Sequence, residues 1–497
     1  YDFIDSLFVT VSAFTDTGLT PLDVVETYSI FGQVVVVLLI QIGGLGLFTL
    51  YWLFWNFLFN NIIYKKIKKL PLHASRSFSF SNSLLIASER GNTKLGLSIK
   101  SIKSALIFII VVELIFAMIY SLMFYYIPSY KQVDITSIGG SLDSSLSNLK
   151  SYQWYVDGSE YNYFYRNPGL SIWSGIFQSV STMNNAGFDI EGNASYSTFR
   201  NGVWTIFLYL SIIQIIIGGI GYPVIYDLLQ YFKLKYYHQK FRFSLFTKVS
   251  TITYFIVFFV GVIFLISFEY GIPREGLIST VHSTPALNDV YFGKDPNLRT
   301  WNEVTSLIFN VATARSAGIS TFSQTSLSYG SVWIMNILMF IGCAPSSTGG
   351  GIRTTALAIV IMTAISYMRG RDKTIIFKKV IPSETVMSSS VIILTSAFLV
   401  LFLSFISFPF VIAISPAYDH LTITDVIFEF ASAYGTVGLS TGLTSILQGG
   451  NFGSYFVASA LCLVMIIGQL GIPTTIFAFK SKKSNKLVSY AQEDIKV

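Results

Sequence analysis

The chain alternates long apolar runs with short polar stretches, each built around a single glycine. Uncharged runs cover 34–59, 249–268, 385–418 and 452–479. Two more, 105–127 and 203–232, each hold one acid, Glu113 and Asp227. A seventh, 333–368, is apolar except around "PSSTGGGIR". About 20 apolar residues cross a bilayer core, so the pattern predicts at least these seven spans. Between them lie apolar pieces too short to cross. "NEVTSLIFNVATA" (302–314) has 13 residues, roughly 20 Å as a helix.

These short pieces run into four related stretches: "VSAFTDTGLT" (11–20), "VSTMNNAGFD" (180–189), "VATARSAGIS" (311–320) and "ASAYGTVGLS" (431–440). They align on Gly18, Gly187, Gly318 and Gly438. Six residues earlier stands Ser12, Ser181, Ala312 or Ser432; one residue later stands Leu19, Phe188, Ile319 or Leu439. Each following run carries a second glycine, in "IGGLG" (42–46), "IGGIG" (217–221), "IG" (341–342) and "IGQLG" (467–471). The repeated unit is therefore span, half-helix, glycine turn, span. A half-helix must enter the membrane and come back. Non-helical backbone at that depth is tolerated only where protein buries it or water lines it. A single such turn reads as a re-entrant loop or a kink. Four matched turns can surround one axis, where a ring of backbone carbonyls replaces an ion's hydration shell. The half-helices aim their negative C-terminal ends at the centre, which favours a cation. Glycine admits the positive φ that turns a carbonyl inward. The predicted filter residues are Thr17, Gly18, Ala186, Gly187, Ala317, Gly318, Val437 and Gly438. Asp16 and Asn185 are assigned to its mouth.

Composition and charge sharpen this picture. Of 497 residues, 52% are hydrophobic and 12% charged, against about 25% charged in a soluble domain. Segments 60–103, 231–248, 369–384 and 480–497 hold 24 of the 33 Lys and Arg residues and 5 acids. Segments 1–33, 128–202, 272–304 and 419–451 hold 7 basic residues and 18 acids. By the positive-inside rule the first set is cytoplasmic and the glycine turns face outside, as in a multi-pass plasma-membrane protein. Basic clusters such as "KKIKK" (65–69) read first as membrane anchors, and 231–248 with 369–379 as docking sites for an acidic-faced partner. The two cysteines, Cys343 and Cys462, sit in apolar runs and imply no disulfide framework.

With its four glycine turns and "GCAPSSTGGGIRTT" (342–355), the whole chain resembles the Trk/Ktr/HKT superfamily of potassium transporters, most nearly the bacterial Ktr/Trk-type membrane subunit. The resemblance implies an all-α polytopic membrane protein with four span–pore helix–span repeats in pseudo-fourfold arrangement around one ion pore. The repeats would cover 1–102 (its first span expected upstream of Tyr1), 103–247, 248–382 and 383–497. The resemblance further implies a homodimer and a cytoplasmic nucleotide-binding regulatory ring subunit. K⁺ is the expected cargo, with Na⁺ as the alternative coupling or conducted ion; the family's sodium-preferring members carry serine where Gly18 stands. No covalent cofactor, no metal besides K⁺, no nucleic acid and no catalytic constellation are expected. The alternatives are a Na⁺-coupled symporter with a midplane site, whose broken helices would lie in inverted halves, and a membrane scaffold.

Single residues complete the expectations. Pro345 and three glycines make a continuous helix implausible over 344–353, since proline costs a helix interior about 3 kcal/mol and glycine about 1. Ser346, Ser347, Thr348, Gly349, Gly350, Gly351 and Arg353 are the predicted gate, a static kink being the alternative. By the resemblance, Gln469 lies in the pore below the filter, where the family usually carries arginine. Asp2, Asp5, Asp23 and Glu26 form an acidic mouth or are solvated loop charges. Arg315 is expected to point away from the axis and pair with an acid, Glu303 or Asp425. Glu113 serves either as a helix–helix hydrogen-bonding group or at an ion site.

Overall fold

In lipid every backbone polar group must be satisfied within the protein, which leaves helices as the economical element for these apolar runs. The computed structural model of the chain describes residues 2–45, 95–127, 132–134, 152–154, 164–190, 196, 204–271, 296–414, 421–447 and 451–471. It places helices α1 (Phe3–Phe14), α2 (Ile30–Leu45), α3 (Leu95–Tyr126), α4 (Pro168–Asn184), α5 (Trp204–Gly219), α6 (Tyr222–Tyr236) and α7 (Leu245–Gly271). The second half holds α8 (Pro296–Thr313), α9 (Tyr329–Ile341), α10 (Thr354–Met368), α11 (Ser383–Ile414), α12 (Ile423–Gly435) and α13 (Phe452–Leu470). Two small antiparallel pairs complete it: β1 (Gln132–Asp134) with β2 (Tyr152–Trp154), and β3 (Ile375–Ile376) with β4 (Lys379–Val380).

Among the described residues, the Ser104–Tyr126 part of α3, together with α7, α11 and α13, is long and apolar enough to cross a membrane. α5 and α6 pass the same test together but are bent by 101°. The expectation of an uninterrupted run over 203–232 is thereby corrected. Gly221 takes φ +94 at the bend, and Pro223 has no N–H to continue a helix across it. The 333–368 run divides into α9 and α10, and α2 is described only as far as Leu45. The rest of 34–59, most of the loop 128–168, and the basic segment 480–497 lie outside the described residues. Outward faces are apolar: Leu114 is 66% exposed, Phe259 59% and Phe398 68%. So much greasy surface would be a liability in water and suits lipid.

Three of the four short helices start on identifiable caps. The Asn167 side chain accepts from the Leu170 N–H ahead of Pro168 in α4. The Asp5 carboxylate accepts from the Asp2 N–H at α1, and Asp425 from the Thr422 N–H and hydroxyl at α12. Each short helix then packs against a neighbouring unit: α4 on α2, α8 on α5, α12 on α9, and α1 on α13. The last contact joins the two ends of the described chain.

Within three of the units, the second glycine of the repeat brings the following helix close to the end of the short one. A Cβ on Gly43 would lie 2.1 Å from the Phe14 carbonyl oxygen, on Gly218 2.2 Å from that of Met183, and on Gly468 2.1 Å from that of Tyr434. Each carbonyl belongs to the residue four before a turn glycine. Gly43→Ala is expected to cost about 1–3 kcal/mol of packing strain and lower the melting temperature of the purified protein. Gly271→Ala, where nothing lies within 4 Å, is the control expected to leave it unchanged. Equal melting of the two variants would refute the close-approach role.

Candidate functional site

The sequence SxxxxxG folds as a helix end that overshoots. In three turns the N–H of the residue before the glycine reaches back five residues: Thr17 to the Ser12 carbonyl, Ala186 to Ser181 and Val437 to Ser432, all at 2.9 Å. The residue two before the glycine is left-handed, with φ 51 at Asp16, 57 at Asn185 and 48 at Thr436. The glycines also take positive φ, +83, +74, +67 and +99 along the chain. The third turn departs from the others. Ala317 donates to Thr313 instead, and Ser316 has φ 151. In all four turns the glycine is partly accessible between buried neighbours. The small residue six places earlier is needed for space, and its hydroxyl adds a bond in two turns: Ser432 accepts from the Gly438 N–H, and Ser181 donates to the Phe188 carbonyl.

The structure brings the four turns together. A Cβ on Gly18 would lie 2.6 Å from the Ala186 carbonyl oxygen, and one on Gly187 2.7 Å from that of Ala317. On Gly318 it would lie 1.9 Å from the Val437 oxygen, and on Gly438 2.2 Å from that of Thr17. These contacts run from the first turn through the second, third and fourth back to the first. Four carbonyl groups, on the residues predicted for the filter, thus gather where only glycine fits.

The break between α9 and α10 lies against this cluster. Gly342 ends α9 with φ +63 and Arg353 precedes α10 with φ +78. Although non-helical, Ser346 and Thr348 to Ile352 are buried, and the segment is hydrogen-bonded on every side. Thr348 donates to the Gly218 carbonyl through its N–H and its hydroxyl. Ser346 accepts from the Tyr222 N–H at 2.8 Å. The Gly350 N–H donates to the Thr436 hydroxyl at 2.7 Å, and Arg353 donates to the carbonyls of Gly349 and Gln469. Ser347 closes its own turn by donating to the Ala344 carbonyl at 2.6 Å. A Cβ on Gly349 would lie 1.9 Å from the Ser316 hydroxyl, and Gly351 takes φ +85.

The other predicted residues can now be placed. Asp16 and Asn185, expected at the mouth, are fully buried. Asn185 donates to the Thr348 hydroxyl at 3.0 Å. Gln469 donates to Asp16 at 3.4 Å and to the Thr348 carbonyl at 3.2 Å. Asp2, Asp5 and Asp23 are occupied in local bonds: Asp2 with the Tyr455 hydroxyl, Asp5 with Asp2, and Asp23 with the Val25 N–H. Glu113 accepts from the amides of Gln41 and Asn184, joining α2, α3 and α4.

Arg315 requires correction. It does point into protein, but among the described residues no acid meets it. Its guanidinium donates to the Tyr254 carbonyl at 2.7 Å and the Gly342 carbonyl at 2.8 Å, and lies 4.0 Å from the Tyr254 ring centre. The expected acids are engaged elsewhere, Glu303 with the Tyr270 hydroxyl and Asp425 at the start of α12. Sequence reasoning sought a charge for a charge and overlooked backbone carbonyls, one freed at the end of α9 and one inside α7.

Comparison with known proteins follows the same lines. Residues 1–490 match the family described as TrkH, cation transport protein. The chain is 35% identical over 521 residues to the "Uncharacterized cation transporter MG322" of Mycoplasma genitalium, covering 100% of this chain and 88% of that one. It is 27% identical over 496 residues to the "Ktr system potassium uptake protein D" of Bacillus subtilis, covering 100% and 90%. Its fold is similar to the crystal structure of the potassium transporter TrkH from Vibrio parahaemolyticus, with a TM-score of 0.55 at 12% identity, over 97% of this chain and 79% of that one.

Removing Arg315 leaves two carbonyls without a charged donor, at about 1.5–3 kcal/mol per bond. Arg315→Met is expected to destabilise the protein by about 3 kcal/mol or more. Arg315→Lys should recover only part, because an ammonium lacks the planar fork. Thermal melting of the purified variants tests this, and a Lys variant as stable as wild type would overturn the two-carbonyl role.

Proposed function

Because the chain belongs to the TrkH family of cation transport proteins, we propose that it takes up K⁺ through a filter lined by the four glycine turns, gated from below by residues 342–353. The observation that carries this reading is the closed cycle of contacts among Gly18, Gly187, Gly318 and Gly438. A cycle of four turns has a centre, and the partly accessible glycines with their neighbouring carbonyls are the groups nearest to it. Carbonyl dipoles substitute for ion hydration, and the ends of α1, α4, α8 and α12 add negative potential. The repeats 1–102, 103–247, 248–382 and 383–497 would each supply one quarter of a pseudo-fourfold pore.

In the cycle the second and fourth turns are opposite one another. The gate segment bonds to both: Thr348 to Asn185 and Gly218, and Gly350 to Thr436. A segment tied to opposite sides of a ring passes beneath its centre. Gln469 links the remaining side through Asp16. This arrangement is a closed gate, and opening it means breaking these bonds.

The glycine turns would face outside and the basic segments the cytoplasm of a plasma membrane, with the chain as a homodimer. A nucleotide-binding ring subunit would release the gate from the cytoplasmic side. The β3–β4 hairpin and its approach present exposed Arg369, Arg371, Lys373, Lys378 and Lys379 to such a partner.

The primary test is flux of K⁺ and Na⁺ into liposomes holding purified protein, with and without a Na⁺ gradient. Selective K⁺ flux supports the reading; its absence, or flux only with a Na⁺ gradient, replaces it with no uptake or with coupled symport. Gly18→Ser places a Cβ at φ +83, at about 1–2 kcal/mol of backbone strain, and is expected to reduce K⁺ over Na⁺ preference by roughly tenfold. Unchanged preference would remove Gly18 from the filter. Deleting Ser347–Gly350 should raise flux and free it from any partner. A folded deletion variant whose flux stays low would leave 342–353 a static kink.

A further inference from the structure

α6 leaves the end of α5 at 101°, and two contacts set its height. Asp227 accepts from the Ser244 N–H at 3.2 Å, just ahead of α7, and from the Thr247 hydroxyl at 2.5 Å in its first turn. Tyr222 and Ile225 cluster with Ala105 and Ile109, at the start of the apolar part of α3, which begins at Ser104. α7 has 27 residues, roughly 40 Å, against a hydrocarbon core of about 30 Å. Its first turn therefore reaches the headgroup layer. A helix running crosswise at that height lies along the membrane surface.

The last two turns of α6 leave the protein. Leu228, Phe232 and Tyr236, four apart on one face, are 37%, 63% and 80% exposed, and Tyr237 follows at 60%. Lys233, Lys235, Lys240 and Arg242 are exposed beside them. The stretch "YFKLKYYHQKFRF" (231–243) has four Lys or Arg, six aromatic residues and no acid. Rings of Tyr231, Phe241 and Phe243 pack together, with centroids 5.2 to 6.3 Å apart, and fold the basic return beside the helix. Lys235 lies 5.7 Å from the Tyr231 ring centre. Aromatic side chains favour the interface between lipid and water, and helices with such faces lie in it, drawn by anionic lipid.

We propose that α6 and residues 237–243 form a binding surface for anionic phospholipid headgroups on the leaflet of the basic segments. Of the two segments expected to meet a cytoplasmic partner, this one is thereby assigned to lipid and the β3–β4 hairpin is left to protein. A protein partner would account for the cations but leave Leu228, Phe232 and Tyr236 at membrane height without a reason. The inference needs only that the chain spans a membrane and does not depend on the ion carried.

The full chain in detergent is incubated with an equal mixture of phosphatidylcholine and phosphatidylglycerol, and retained lipid is identified by mass spectrometry after gel filtration. Wild type should retain phosphatidylglycerol preferentially. K233Q/K235Q/K240Q/R242Q should lose that preference, by roughly fivefold per cation removed, whereas R369Q/R371Q/K373Q should keep it. F232S/Y236S should lower retention of both lipids. The proposal is overturned if the fourfold variant matches wild type, or if the loss follows the 369–373 charges. It is also overturned if the fourfold variant loses only binding of a cytoplasmic protein, which would make the surface a protein site. Added salt gives an arm that needs no variant: preferential retention by wild type should weaken, and salt-independent retention would count equally against headgroup binding.

Discussion

An α-helix that stops inside a bilayer leaves its last four carbonyls without intrahelical partners, in a medium where each unmet group costs several kcal/mol. α1, α4, α8 and α12 end in the glycine turns, packed among protein rather than in water. Two devices answer the problem in most turns. The amide before the glycine folds back on the carbonyl five residues earlier. The next helix then presses a glycine Cα against the carbonyl four before the turn. Neither device uses a large side chain, so the repeat is written in Ser, Ala and Gly rather than in charged residues. The carbonyls that converge between the turns are the groups that the proposed filter would offer a cation.

This explains which features could be read from the sequence. A close approach or a positive φ demands glycine, and a broken helix demands proline or glycine, so the four turns, the second glycines and the break at 342–353 were legible. The residue at −6 was legible as a small residue but not as the acceptor of the returning amide. The bend at Ile220–Gly221 was missed because apolar content continues across it; only Gly221 and Pro223 marked it. Asp16 and Asn185 were read as polar residues near a mouth. Their left-handed conformation turns their side chains toward the second glycines instead, with Asp16 Oδ1 3.2 Å from the Cβ position of Gly43 and Asn185 Nδ2 2.9 Å from that of Gly218. Side-chain direction within a turn depends on φ, which residue type alone does not reveal.

Buried charge was the least legible property. Stripping a charge of water costs several kcal/mol unless hydrogen bonds replace the hydration shell. Arg315 meets that requirement with two carbonyls and an aromatic face, and Glu113 with two side-chain amides. Neither solution has a sequence signature, because the groups come from distant helices and are neutral. Opposite charges elsewhere in the chain therefore mislead when they are sought as partners.

The third repeat departs from the other three at several linked points. Ser316 lacks the left-handed conformation of Asp16, Asn185 and Thr436, and its hydroxyl comes against Gly349. Gly342 does not press on a carbonyl before its own turn, as Gly43, Gly218 and Gly468 do; it ends α9 and gives its carbonyl to Arg315. One repeat has thus exchanged the packing of the others for a loop held by Asn185, Thr436, Gln469 and Arg353. Hydrogen bonds of this kind contribute about 0.5–1.5 kcal/mol each, so four or five sum to several kcal/mol. That is the scale on which a ligand can shift a two-state equilibrium, about 5.5 kcal/mol for a swing from 1:99 to 99:1. For the proposed gate, many more such bonds would hold the loop shut whatever bound outside, and a single bond would let it leak. The turns of the other three repeats have hydrogen bonds of their own, so the loop of the proposed gate could move without dismantling the cycle of turns.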